Sequence, residues 1–179
     1  MITVSGPAEL LRDFVNTYDV ETDTDDLTSD HALSDWLKSH GLEPAEDDLA
    51  LARDLREGLR ASLRHNHDAV TYTTPEPLET ALAAIPLRVT IDGGMPRLVP
   101  AGDTPHRGLA GLVAMIAAAH ADGTWPRLKV CVESTCQVAF IDASKNRSRA
   151  WCSMRVCGNR TKTRTYRARR QAEGPEMPA

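Results

Sequence analysis

All four cysteines of the chain lie in two short segments, Cys131-Val132-Glu133-Ser134-Thr135-Cys136 and Cys152-Ser153-Met154-Arg155-Val156-Cys157. Each segment offers two thiols with four residues between them, and fifteen residues separate the segments. Zinc takes four ligands in a tetrahedron, and two cysteine pairs joined by enough chain for a hairpin supply them in many small domains. The spacing predicts one structural Zn²⁺ bound by Cys131, Cys136, Cys152 and Cys157. Disulfides and an iron–sulfur cluster are the alternatives.

Four thiolates close the coordination shell, whereas a catalytic zinc keeps one position open for water. The sequence also lacks a phosphate-binding loop, a Gly-x-Gly-x-x-Gly turn and a His-Glu-x-x-His helix. We therefore expect no enzyme activity and assign the metal to stability, because the apolar residues around the cysteines make a thin core. Phe140 and Trp151 are expected in that core, with stacking on nucleobases as the alternative. Asp142 suits either hydrogen bonds to backbone amides or proton transfer.

Charge is distributed unevenly along the 179 residues, of which 41% are hydrophobic and 26% charged. Residues 1–125 hold nine Lys and Arg against twenty-one Asp and Glu, a net charge of −12. Residues 126–179 hold twelve against four, a net charge of +8. The composition is that of a soluble folded protein, and such an asymmetry indicates two functional units, of which one binds a polyanion.

Eight basic residues between and after the cysteine pairs are the candidate nucleic-acid contacts. If 158–170 is helical, Arg160, Arg164 and Arg167 share one face. A helix with so few apolar positions needs solvent or an anion around it, and phosphate backbones are the obvious polyanion. The alternatives are that Arg149, Arg155 and Arg160 neutralise the thiolates, or that the basic surface is only solvated. The eight candidates are Arg147, Arg149, Arg160, Lys162, Arg164, Arg167, Arg169 and Arg170.

The first 123 residues contain apolar residues at helical spacing, with proline and serine at the expected helix starts. The third helix has one mainly apolar side, formed by Leu51, Leu55, Leu59, Ser62 and Leu63, and its arginines lie elsewhere. These are Arg53, Arg56, Arg60 and Arg64. A β-hairpin precedes the last helix, because Leu87, Val89 and Ile91 alternate with polar residues before a Gly-Gly turn. The five predicted helices are Pro7 to Tyr18, Ser29 to Gly41, one from Pro44, one from Pro75, and Pro105 to Ala121.

These features predict the α+β class: a mainly helical N-terminal domain with a β-hairpin, then a small four-cysteine zinc finger with a basic C-terminal helix. The predicted boundaries are 1–123 and 124–170, followed by a disordered tail at 171–179. The longest nearly apolar stretch, 109–119, has about half the length that a membrane span requires. No signal peptide is visible, so we expect a reducing, cytoplasmic environment.

The finger segment resembles the CGNR-type zinc-finger family. The match includes both cysteine pairs, Phe-x-Asp-x-Ser-x-Asn at 140–146, Trp-Cys-Ser-Met at 151–154 and Cys-Gly-Asn-Arg at 157–160. Ala150 stands where the family commonly has an arginine. The first part is similar to the ABATE-type domain that accompanies this finger, through Asp13-Phe14-Val15-Asn16-Thr17 and through Trp36-Leu37 before Gly41-Leu42. Together the resemblances cover nearly the whole chain to about Arg170.

The resemblance implies a stress-related bacterial transcription regulator. With the charge distribution, it predicts that the finger binds DNA while the acidic domain senses, dimerises or masks the basic surface. The alternatives are a zinc-stabilised module that docks an acidic protein partner, or an RNA-binding protein. A homo-oligomer fits either function, and the sequence identifies no small-molecule effector. Asn16 and Thr17 would line a ligand pocket or, alternatively, bond to nearby backbone.

Overall fold

The computed structural model describes residues 6–46, 48–67 and 73–172. Helices dominate the N-terminal part, and the C-terminal part consists of a small sheet, the cysteine cluster and a final helix, so the α+β class is confirmed. Within these ranges, consecutive strands pair antiparallel into three two-stranded sheets. The elements are α1 (Pro7–Val15), β1 (Tyr18–Asp19), β2 (Thr24–Asp25), α2 (Asp30–Ser39), α3 (Leu49–Arg64), α4 (Glu76–Ala84), β3 (Leu87–Asp92), β4 (Met95–Pro100), α5 (Arg107–Ala121), β5 (Leu128–Val130), β6 (Ala139–Ile141) and α6 (Asn159–Ala172).

Capping residues set several helix ends as predicted. The Ser29 hydroxyl accepts a hydrogen bond from the Ala32 amide at 3.1 Å and begins α2. Gly41 follows the end of α2 with a φ of +73°, the left-handed conformation that glycine adopts readily after a helix. Pro75 precedes α4, where its fixed φ suits the helix start.

Four predicted boundaries are wrong. Helix α1 ends at Val15 because the Thr17 hydroxyl bonds back to the Phe14 carbonyl, and Tyr18 enters β1. Helix α3 begins at Leu49 rather than near Pro44, because the Asp48 carboxylate accepts the amides of Ala50 and Leu51. Helix α5 begins at Arg107. At the C-terminus, Gln171 and Ala172 extend α6, whereas residues 173–179 of the predicted tail lie outside the described residues.

One continuous apolar core extends across the predicted boundary near residue 123. Leu11, Phe14, Leu55, Leu59 and Leu109 form its N-terminal part. The same core includes residues of the C-terminal segment, from the linker and from both strands of the β5–β6 sheet. These added core residues are Trp125, Leu128, Val130 and Ala139.

Helices α3 and α4 approach each other closely at Gly58. A Cβ at this position would lie 2.6 Å from the backbone of Leu78, so only glycine permits the contact. The side of α3 that carries Arg56 and Arg60 is also buried. They are 3% and 2% exposed, because acceptors from the preceding loops surround them. Asp25, for example, accepts both terminal nitrogens of Arg56.

Among the described residues, no helix is both long enough and apolar enough to cross a membrane.

Candidate metal centre and basic helix

The four cysteines meet beside the β5–β6 sheet, and their sulfur atoms all lie within 4.8 Å of one another. The Sγ atom of Cys152 lies 3.6 Å from that of Cys136 and 3.7 Å from that of Cys157. Four sulfurs about 2.3 Å from a central zinc would stand about 3.8 Å apart along the edges of a tetrahedron. The cluster, in which no disulfide forms, therefore has the dimensions of a four-thiolate zinc site.

Two tight turns bring the sulfurs together. In the first, the Cys136 amide donates to the Glu133 carbonyl at 2.9 Å, and the Cys131 amide donates to Val138 across the base of the turn. The second is a single π-helical turn over Met154–Gly158, whose start is capped by the Ser153 hydroxyl. Each turn presents two thiols to the same point, which is the ligand arrangement that the cysteine spacing predicts.

The environment of the thiols suits a cation. Burial, reinforced by the neighbouring sulfurs, raises the pKa of Cys152 and raises that of Cys157 to about 11. A thiol whose pKa is raised in this way is protonated at neutral pH until a metal displaces the proton. Sulfur is also a ligand that zinc favours. The four cysteines are thus a site for one structural Zn²⁺, as the spacing predicts.

A buried ion pair fixes the loop between the cysteine pairs. Lys129 and Asp142 are 1% and 0% exposed, and Lys129 Nζ lies 3.0 Å from an Asp142 oxygen. The Asp142 carboxylate also accepts the amides of Ser144 and Arg149, each at 2.9 Å. Burial opposes ionisation of Asp142, but these hydrogen bonds hold its pKa well below the ordinary range. Of the two roles considered for Asp142, binding backbone amides is the one observed.

Glu133 connects the first cysteine segment to α6. Its carboxylate accepts a hydrogen bond from Arg164 at 2.8 Å and lies 3.1 Å from the Thr161 hydroxyl, which also receives the indole N–H of Trp151. The hydrogen bond from Arg164, aided by those of Thr161 and Thr135, outweighs burial and lowers the pKa of Glu133 to about 2. Because α6 buries none of its own residues, these polar contacts hold the helix in place.

The basic residues of α6 differ in their surroundings. Arg160 donates to Glu21 at 2.9 Å and to Thr135 at 3.3 Å, and Arg164 is bound to Glu133. Both line a shallow recess of about 450 Å³ with Arg167, so the predicted common face of these three arginines is observed. The other basic side chains of the helix are exposed and form no hydrogen bond or ion pair within the described part of the chain. They are Lys162, Arg167, Arg169 and Arg170.

Arg149 braces the second cysteine segment. Its guanidinium donates to the carbonyls of Trp151 and Cys152 and lies 4.9 Å from the centre of the Phe140 ring. Phe140 and Trp151 pack against the cysteines, in agreement with the core interpretation. Arg147, by contrast, has an exposed side chain and a φ of +50°, and its carbonyl accepts from Lys129. The nucleic-acid role of all eight basic residues stays a prediction.

Two N-terminal side chains hold the sheet of the finger. The Asn16 amide exchanges two hydrogen bonds with the backbone of Ala139, at 2.9 and 2.8 Å, as a neighbouring strand would. Arg60 donates to the Gln137 carbonyl at 2.8 Å and to the carbonyls of Val15 and Tyr18. Asn16 therefore bonds to backbone, although to that of a distant segment rather than to its own loop.

Sequence reasoning missed the roles of Glu133, Lys129 and Arg60. A signal for the first was present, because Glu133 and Asp142 are the only acidic residues between positions 126 and 172. Isolated acids in a basic segment are candidates for buried counter-ions, and both fill that role here. Arg60 has a local partner in Glu57, which accepts its Nε at 3.1 Å, but no signal marks its other acceptors, which are backbone carbonyls distant in the sequence.

The fold and the site define a zinc-finger protein in which a helical domain shares its core with the finger. A family model for ABATE, described as "Putative stress-induced transcription regulator", matches residues 8–123, and a CGNR zinc-finger model matches residues 127–170. The chain belongs to the ABATE family and carries a CGNR zinc finger after the ABATE domain. Among curated proteins, none matches this chain.

Proposed function

We propose that this protein is a cytoplasmic, non-catalytic transcription regulator whose finger and α6 bind duplex DNA. The description of the matched family supports the general role of regulator. Residues 124–170 would be the DNA-binding unit and residues 1–123 the unit that regulates or dimerises. Four reduced thiols that must hold zinc suit a reducing compartment.

One observation carries the DNA-binding proposal: α6 presents six basic and no acidic residues over 14 positions, with none buried. A helix of this length spans about 21 Å and has a diameter of about 10–12 Å, which fits the major groove. Lys162 and Arg169 lie seven residues apart and therefore on one side of α6, away from the Glu133 attachment. The outward side is thus free to meet phosphates.

The internal contacts divide the eight candidates by expected role. We assign direct DNA contact to residues without a buried partner and to Arg160, whose partner Glu21 is 46% exposed. Arg149 and Arg164 are instead positioning residues, because they hold the finger and α6 together. The residues assigned to direct contact are Arg147, Arg160, Lys162, Arg167, Arg169 and Arg170.

The test is a salt titration of the zinc-loaded full chain against random-sequence duplex DNA, with the metal content measured on the same sample. Each phosphate contact adds about 0.9 to the steepness of log K against log salt. The triple variant Lys162→Ala/Arg169→Ala/Arg170→Ala should therefore lower the slope by about 2–3 while keeping its zinc. Lys38→Ala is the control, since Lys38 is exposed on α2.

The absence of binding at low salt, in a sample with one zinc per chain, would overturn the proposal and favour an acidic protein partner. An equal loss of slope in Lys38→Ala would show that the loss does not depend on the basic side chains of α6. A competition experiment with structured RNA tests the kind of nucleic acid. Preference for RNA over duplex DNA would show that the protein binds RNA instead.

A further inference from the structure

The β3–β4 hairpin leaves one strand at the surface. Strand β4 packs against α5, and β3 pairs with β4 as the outer strand of the hairpin. Two apolar side chains of β3 are prominently exposed, Val89 at 64% and Ile91 at 69%. An outer strand with exposed apolar residues offers its backbone to a further strand.

The register shows which backbone groups of β3 point outward. Leu87 pairs with Pro100 and Asp92 with Met95, and the Ala101 amide donates to the Pro86 carbonyl at 3.1 Å as the next pair of the ladder. Hydrogen-bonded and non-bonded pairs alternate in an antiparallel ladder. The even-numbered residues of β3 therefore bond to β4, and the N–H and C=O groups of Leu87, Val89 and Ile91 point away from it.

The two edges of the hairpin differ in their capacity to pair. On β4, the same alternation points positions 96, 98 and 100 outward, and two of these are proline, which has no N–H to donate. Proline at an edge prevents strand addition. Strand β3 contains no proline, so all three of its outward residues can donate. The hairpin is closed on one edge and open on the other.

The open edge is complementary to itself. The strand reads Arg88-Val89-Thr90-Ile91-Asp92. In an antiparallel pair of identical strands centred on Thr90, each Arg88 faces Asp92 of the other copy, and each Val89 faces Ile91. The register also places the outward backbone groups of Val89 opposite those of Ile91, where they exchange hydrogen bonds.

We propose that β3 pairs with β3 of a second copy, making one four-stranded sheet across a twofold axis. Charge complementarity selects this partner, since the exposed Arg88 and Asp92 are brought together twice. Asp92 keeps its contact with Arg97, at 3.4 Å between two largely exposed side chains, because its second oxygen accepts Arg88. Val89 already lines an apolar groove of about 720 Å³ with Leu98 and Ala118, and Ile91 of the second copy extends that surface.

Sedimentation equilibrium of the zinc-loaded full chain tests the pairing without any DNA. Wild type should dimerise with concentration, whereas Arg88→Asp alone and Asp92→Arg alone place like charges opposite each other and should weaken self-association roughly tenfold. A 1:1 mixture of the two variants restores opposite charges in the heterodimer and should restore association. Lys38→Asp is the control, since Lys38 is exposed on α2.

Circular dichroism and zinc content confirm that each variant is folded. A wild type that stays monomeric at the highest soluble concentration would overturn the proposal. Variants that self-associate like wild type, or a mixture that associates no better than its components, would overturn it equally. This experiment measures molecular mass and not DNA affinity. A failure of the pairing proposal therefore does not affect the DNA-binding proposal, which the salt titration tests separately.

Discussion

Glu133 and Arg164 are 31 residues apart in the sequence and form a 2.8 Å ion pair, with the carboxylate fully buried. The acid lies between the first two zinc ligands and the arginine lies on the basic helix. The pair therefore makes the orientation of α6 depend on the metal-binding turn. Because α6 buries none of its own residues, this pair, together with the contacts of Thr161 and Arg160, holds the cationic helix against the finger.

Glu133→Gln should loosen α6 without loss of zinc. The substitution keeps the shape of the side chain but removes the charge, and hydrogen bonds to charged groups contribute about 1.5–3 kcal/mol. Limited trypsin digestion should cut within 160–170 faster than in wild type, while the remainder of the chain is cut as before. Glu79→Gln, at an exposed position of α4, should leave the pattern unchanged, and an unchanged rate in Glu133→Gln would contradict the anchoring role.

The same carboxylate predicts an acid dependence. The pKa of Glu133 is lowered from an ordinary 4.5 to about 2, so between these values the unfolded chain binds more protons than the folded chain. The stability that Glu133 contributes is complete above about pH 4.5 and is lost as the pH falls toward 2. Helicity measured by circular dichroism should show a wild-type advantage over Glu133→Gln that disappears in this window. Zinc release affects both proteins, so a difference that persists at pH 2 would contradict the assignment.

Zinc removal should destabilise the whole chain rather than the finger alone. Leu128, Val130 and Ala139 belong to the same core as Phe14 and Leu59, and zinc binding contributes roughly 10–16 kcal/mol in small zinc-finger peptides. Chelation or Cys152→Ser should therefore lower the thermal midpoint of the N-terminal helices too, as followed by calorimetry with metal analysis. Ser134→Ala, in the same turn as the first ligands, should retain zinc. A variant that lost zinc with no change in the helical transition would contradict the shared core.

Arg60→Met should weaken the attachment of the N-terminal domain to the finger and lower the free energy of unfolding. The buried guanidinium donates to the carbonyls of Val15, Tyr18 and Gln137, and leaving a buried acceptor without its donor costs about 1–3 kcal/mol. Urea unfolding of the zinc-loaded protein measures this loss. Arg64→Met, one helical turn further and exposed, should cost about 0.5 kcal/mol or less. Equal effects of the two substitutions would mean that Arg60 acts only as surface charge.

Glu21→Gln tests whether the acidic part masks the basic helix. Glu21 lies 2.9 Å from Arg160 on an exposed surface, and an exposed ion pair is weak enough for DNA phosphates to compete with it. Its removal should raise affinity for random duplex DNA by about two- to fivefold, measured by fluorescence anisotropy at low salt. Glu79→Gln removes the same charge at a position on α4. An equal rise in DNA affinity in that variant would show that the effect comes from overall charge and not from the Glu21–Arg160 contact.

Local signals in the sequence predicted much of this structure. The helix ends at Ser29, Gly41 and Pro75 depend on neighbouring residues only. The spacing of the four cysteines is likewise enough to predict that their thiols meet at one site. Other features depend on partners that only folding brings together. Asn16 bonds to Ala139 across 123 residues, and Arg56 and Arg60 resemble surface arginines until their acceptors surround them. Periodicity cannot distinguish an arginine that faces water from one that faces buried carbonyls.

The continuous core also limits how these two units can be recombined. A CGNR finger moved to an unrelated domain would expose Leu128, Val130 and Ala139, and its sheet would lose the side-chain amide that continues it. The ABATE part without its finger would have an uncovered apolar surface and an arginine left without one of its acceptors. Protein engineers who seek a portable zinc module should therefore move residues 6–172 together, and gene fusions that retain one unit alone should select for compensating changes at position 16 or position 60.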